Sequence, residues 1–180
     1  MVVKIIISLL LSTFLCQCAT KNQEEINFKD TVPFFSYDNV EYYYIPFSEM
    51  EIIELLKNKN NSIEDSIKTL IILDKFPKSL NDSLFFQTLT SPYFFHREIP
   101  KYEFPLLDSI FIEKTETPYI ACPAENIFTD ILVFKKDERT VGIFKYTLGC
   151  THNFYFVGTR ANTSSFGQDE EYKKLSRFRP

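Results

Sequence analysis

The chain has 180 residues, room for one domain and at most a small appendage. With 44% hydrophobic and 24% charged residues it is neither a disordered chain nor a coiled coil. A net charge of −4 gives no electrostatic reason to expect a nucleic-acid partner.

The chain opens as a secretion signal. Lys4 supplies a positive start, and Ile5 to Leu15 form an apolar run broken only by Ser8, Ser12 and Thr13. A membrane-spanning helix needs about 20 apolar residues, so this run is too short to be a stable span. The next residues, Leu15-Cys16-Gln17-Cys18-Ala19-Thr20, resemble the lipid-attachment motif of bacterial lipoprotein signal peptides, where a Leu stands three residues before the modified Cys. Gln17 occupies a position at which that family prefers a small residue. The resemblance implies removal of residues 1–17 as a lipoprotein signal peptide and acylation of Cys18, with Cys16 as the alternative acceptor. Several acyl chains, at about 0.8 kcal/mol per buried methylene, hold a protein on a bilayer almost permanently. Ala19 stands where an Asp retains lipoproteins at the inner membrane, which points to the outer membrane of the cell envelope. Residues 18–32 are mostly polar and without period, and read as a tether.

Residues 33–167 are expected to form one α+β domain, with two or three N-terminal helices packed on one face of an antiparallel β-meander of about five strands. Val40 to Ile45 reads as a short edge strand ended by Pro46. Ser48 opens a helix with Glu51 three residues on, the spacing of a capping box, and Ile52, Leu55 and Leu56 form its apolar stripe. Ser62 caps a second helix, whose buried face is Ile63, Ile67, Leu70 and Ile71. Ser79 to Leu89 reads as a third, shorter helix, and the prolines and aromatics of Ser91 to Pro105 suggest an extended segment. From Leu107 the pattern turns to strands at Ser109–Lys114, Pro118–Cys122, Ile127–Lys135, Val141–Leu148 and Asn153–Thr159. A hairpin turn is expected at Lys136-Asp137-Glu138-Arg139, and residues 168–180 read as a solvated polar tail.

The clearest chemical constellation is Cys122 with Cys150. An exported chain meets an oxidising compartment, and these cysteines remain once the signal pair is set aside. Folding the hairpin about residue 138 brings Cys150 near Cys122. The disulfide would close a loop of about 29 residues and stabilise the fold by roughly 3 to 4 kcal/mol on the chain-entropy model. The same cysteines with His96 and His152 would make a Cys2His2 set, but the spacing fits no zinc pattern, so neither metal nor cofactor is expected.

Enzyme signatures are absent: there is no nucleophile elbow, phosphate-cradling loop or metalloprotease helix. Carboxylate pairs need no motif, so Glu113 with Glu116, or Asp130 near Glu125, keep an envelope hydrolase as the alternative. Three successive tyrosines, Tyr42 to Tyr44, cannot all face one way in a strand, which predicts an exposed aromatic patch around Tyr43. The loop Gly158 to Gln168 offers Arg160 and Phe166 as further binding residues. Together these features lead to a lipid-anchored envelope module that meets the membrane through its lipid and binds an envelope protein or a saccharide without catalysis.

Overall fold

Asn39–Tyr44 is rich in Val and Tyr, which suit a pleated surface, and it forms the first strand, β1. The computed structural model describes residues 32–46, 48–57, 62–73, 75–114, 127–148, 154–167 and 170–180, all of them within the unit Thr31–Pro180. The lipid-site cysteines Cys16 and Cys18, the strand expected at Pro118–Cys122 and the pair Cys122 and Cys150 lie outside the described residues.

Three helices follow β1: α1 (Glu49–Lys57), α2 (Ile63–Leu73) and α3 (Ser83–Leu89). Polar side chains fix where each begins. At α1 the capping box is reciprocal, with Ser48 N–H donating to Glu51 Oε2 at 2.7 Å and Glu51 N–H donating to Ser48 Oγ at 3.4 Å. Ser62 and Asp65 repeat the device at α2, at 3.4 and 3.1 Å. At α3 the cap is Asp82, whose Oδ1 accepts from Phe85 N–H at 3.1 Å. The Asp82→Ala variant is expected to lose about 1 kcal/mol in urea unfolding with an unchanged denaturant slope. A changed slope, or no loss at all, would remove that cap from the account.

The chain continues through β2 (Phe95–Glu98), a 3-10 turn at Lys101–Glu103, and α4 (Phe104–Ile110). Then come β3 (Asp130–Lys136), β4 (Arg139–Tyr146), β5 (Phe154–Val157), α5 (Glu171–Leu175) and a closing 3-10 turn at Ser176–Phe178. The five strands make one antiparallel sheet in the order β2-β1-β3-β4-β5, so the domain is α+β.

The layout departs from the expected one in several ways. The strands are not a simple meander and β1 is not an edge, because it pairs with β2 on one side and β3 on the other. Pro46 ends β1 without costing a ladder bond, since it lies beyond the last paired residue. The helices do not stand N-terminal to the sheet: they come after β1, and α4 and α5 come later still. Leu107, Ile110 and Phe111 keep a helical spacing, so the first part of the strand expected at Ser109–Lys114 is the end of α4. Pro105 is tolerated there because it falls in the helix's first turn. Only the stretch after α4 pairs in extended form, with Phe34 N–H donating to Phe111 O at 2.8 Å and Glu113 N–H to Val32 O at 2.9 Å.

Both sheet faces are covered, rather than one. Tyr43, Ile131, Val133, Ile143 and Val157 pack under α1 to α3, with Ile52, Ile71, Ile72, Phe85 and Leu89 as the facing layer. The opposite face, with Val40, Tyr42, Leu132, Phe134, Phe144 and Tyr146, is closed by Phe34, Phe35, α4 and the C-terminal segment. The expected solvated tail at residues 168–180 is therefore corrected: Tyr172, Leu175 and Phe178 are buried in this second core. Their spacing puts all three on one side of the terminal helix and turn. Here phenylalanine rings interlock, with Phe35 stacked on Phe134 at 4.5 Å between centroids and Phe144 tilted against Phe156 at 4.5 Å.

Candidate functional site

The hairpin turn Asp137–Glu138 joins β3 to β4, with both residues at positive φ of 48° and 64°. Two-residue turns of this hand match the twist of the strands they join. Just after the turn the pairing register shifts at Phe134/Lys135, so that Lys135 lies opposite Thr140 and Val141 is skipped. Without this bulge, strict alternation would send Val141 to the helix-covered face and Thr140 away from it. With it, Val141 packs into the phenylalanine core and Thr140 turns towards the helices.

Thr140 thereby joins a groove of about 620 Å³ between the sheet and the C-terminal end of α3. Its floor and wall come from Tyr43, Leu89 and Phe94, and its charged side from Glu41, Lys135 and Glu138. Glu41 and Tyr43 stand two residues apart on β1 and so share a face. Lys135 Nζ donates to Glu41 Oε1 at 2.6 Å, and the Tyr43 hydroxyl donates to Glu41 Oε2 at 2.9 Å. Burial first, then the Glu41 carboxylate, pushes the Tyr43 phenol up from its ordinary value, so it remains a neutral donor. His96 of β2 lies directly opposite Tyr43 and stacks on it, with ring centroids 4.6 Å apart. A smaller hollow of about 320 Å³ adjoins the groove, sharing Glu41, Lys135 and Glu138 and adding Asp38, Asn39 and Asp137.

The residues singled out in the sequence are dispersed. Tyr43 is in the groove but only 7% exposed, so the aromatic patch expected around it is not centred there. The covering helices bury one side of β1 and the C-terminal segment buries the other, leaving the exposed ring to Phe95 of the edge strand, 5.0 Å from Tyr44. Phe166 is a core residue, 2% exposed and packed among Phe34, Phe111, Phe144, Phe154 and Phe156. Arg160 is exposed, follows β5 at the far edge of the sheet and does not line the groove. Of the carboxylate pairs, Glu116 and Glu125 lie outside the described residues; Glu113 Oε1 accepts from Asn162 N–H at 2.6 Å.

A second polar constellation lies inside the phenylalanine core. Asp130 is fully buried; it accepts from the hydroxyl of Tyr42 and from Thr129 Oγ1 at 2.6 Å, and pairs with Arg179 Nη2 at 3.5 Å. Burial pushes its carboxyl up from the ordinary range, against the lowering influence of Thr129, Tyr42 and Arg179. Arg97 reaches the same segment, donating from Nε and Nη2 to Phe178 O at 3.1 and 2.7 Å. This cluster lines neither the groove nor its adjoining hollow and clasps the C-terminus to β2 and β3.

Glu41, His96, Lys135, Glu138 and Thr140 were not legible as a group. They come from four strands and the turn between two of them, and only the alternation of Glu41 with Tyr43 was visible in sequence. Among the described residues no group of three or more His, Cys, Asp or Glu is placed to hold a metal ion, and no helix is long and apolar enough to cross a membrane. Comparison with protein-family models, curated proteins and solved structures finds no match.

Proposed function

We propose that the chain is a lipid-anchored protein of the bacterial cell envelope, held at the outer membrane through Cys18, whose α+β domain binds a partner and catalyses nothing. The anchor rests on the Leu15-to-Cys18 motif and the polar tether behind it. The binding role rests on one observation: an open groove joins an aromatic wall to a charged side in which Glu41 is already paired with Lys135. Both oxygens of Glu41 accept hydrogen bonds, from Lys135 and Tyr43, which suits recognition better than proton transfer. In cells fed a fatty-acid analogue, the wild-type chain is expected to carry label. Cys18→Ala is expected to lose both the label and membrane retention. An unlabelled wild type, or a variant labelled as before, rejects the anchor at Cys18.

The competing reading is a hydrolase of envelope polymers that uses two carboxylates. It is favoured by one fact, that Glu41 and Glu138 line the same groove. Turnover of purified envelope polymer that disappears in Glu41→Gln and in Glu138→Gln would replace the binding module with that enzyme.

A further inference from the structure

The groove's charged side is unevenly committed. Lys135 neutralises Glu41, whereas Glu138 and Asp137 pair with no cation among the described residues; Glu138 lines both the groove and its adjoining hollow, and Asp137 lines the hollow. Asp38 Oδ2 accepts the Asp137 N–H, at 3.0 Å, and among the described residues no cation pairs with it. The groove is also lined by Phe86, Leu89, Phe94 and the Tyr43–His96 stack. A groove with one aromatic and aliphatic wall and carboxylates at its charged side matches a long side chain with an aliphatic stem and a cationic head.

The neighbouring edge tells which molecule would bring that side chain. β2 is the outermost strand, and Ile99 N–H donates to Val40 O at 2.8 Å. Antiparallel alternation then directs the N–H and C=O of Phe95 and Arg97 towards β1, and those of His96 and Glu98 outward from the sheet. An extended chain can hydrogen-bond along such an edge. His96 belongs to both features, since its backbone faces the edge and its ring borders the groove.

We propose that the groove takes an arginine or lysine side chain from an extended segment of a partner protein, with the segment's backbone laid along β2. This rests on the binding reading above and names its partner chemistry. The aliphatic stem lies against Leu89 and Phe94, the cation meets Glu138, and the added strand continues the sheet beyond His96 and Glu98.

The test uses the full chain in detergent and the capped peptide Ser-Thr-Arg-Thr-Ser, against the same peptide with neutral citrulline for Arg. The arginine peptide is expected to bind at least about tenfold more tightly than the citrulline one, and to lose about tenfold with Glu138→Gln. Binding is expected to weaken with added salt. Glu54→Gln, on an exposed acid of α1, makes the same charge change away from the groove and is expected to leave binding intact. Equal affinity for the two peptides, no binding of either, an equal loss in Glu54→Gln, or binding of an oligosaccharide instead would each overturn the proposal. A photo-crosslinking residue in place of Thr90 on the groove rim separates the two levels. Adducts with an envelope component, without arginine-peptide binding, would reject the cationic ligand and keep the groove. Neither adducts nor peptide binding would reject both.

Discussion

Asp130→Ala is expected to cost about 3 kcal/mol, a large share of the roughly 5–15 kcal/mol by which a domain is stable. The variant removes the acceptor of two hydroxyl groups, Tyr42 and Thr129, and leaves the Tyr42 hydroxyl inside a core of rings. Each buried donor left without a partner costs about 1–3 kcal/mol. Arg179 contributes less, because at 36% exposure it can turn to water. Asp130→Asn keeps an acceptor for Tyr42 and is expected to lose less than half as much. The two variants also differ from the wild type in how stability follows pH. The native carboxyl is held above the ordinary aspartate value while the unfolded one is not, so the native state binds the proton more tightly. Stability gained from this group is therefore full below about pH 4 and declines as pH rises through the native value. The groups that face it, Tyr42, Thr129, Tyr146 and Arg179, carry no second carboxylate to mask the effect. Urea unfolding from pH 3 upward should show wild type losing ground to Asp130→Asn as pH rises. A constant gap would mean that Asp130 titrates as it does in the unfolded chain.

Gly142→Ala is expected to be as damaging for a steric reason. A Cβ at this position would stand 2.8 Å from Phe35 Cγ and closer still to Cδ1 and Cε1 of the same ring. Phe35 cannot easily retreat, since it is stacked on Phe134 and packed against Phe111 and Phe156. Overpacking of this kind costs about 1–3 kcal/mol, more where the neighbours are themselves fixed. Phe35→Leu should lower stability alone yet relieve part of the loss when combined with Gly142→Ala. A double-mutant cycle reads that coupling, and strictly additive losses would place the strain elsewhere.

What was legible in the sequence was local. The helix starts at Ser48 and Ser62, the β-rich Val40 to Ile45 segment and the turn within Lys136 to Arg139 depend on near neighbours; the structure has both caps, a strand at Asn39–Tyr44 and a turn at Asp137–Glu138. What was lost depended on partners far along the chain. Nothing in Val40 to Tyr44 announces that it pairs with both Phe95–Glu98 and Asp130–Lys135. The charged residues around Tyr172, Leu175 and Phe178 outnumber them, so composition hid a buried stripe. Phe166 and Tyr43 are buried where the sequence suggests surface aromatics, because a ring's type does not say which face of a sheet it meets. The groove was least legible, since the bulge that turns Thr140 into it is a property of pairing and not of any residue.

The central place of β1 also sets the order in which this chain can fold. Glu41 meets Lys135 across 94 positions of sequence, so the first strand waits for almost the whole domain before it finds its main partner. The hairpin of β3 and β4, by contrast, closes on neighbours at once. Contacts of long span come late because the entropy of closing the loop must be met first. A chain emerging from its amino end therefore presents β1, the three helices and β2 before the strand that joins them to the rest of the sheet. Such a chain completes its sheet only once the strands of its final third have arrived.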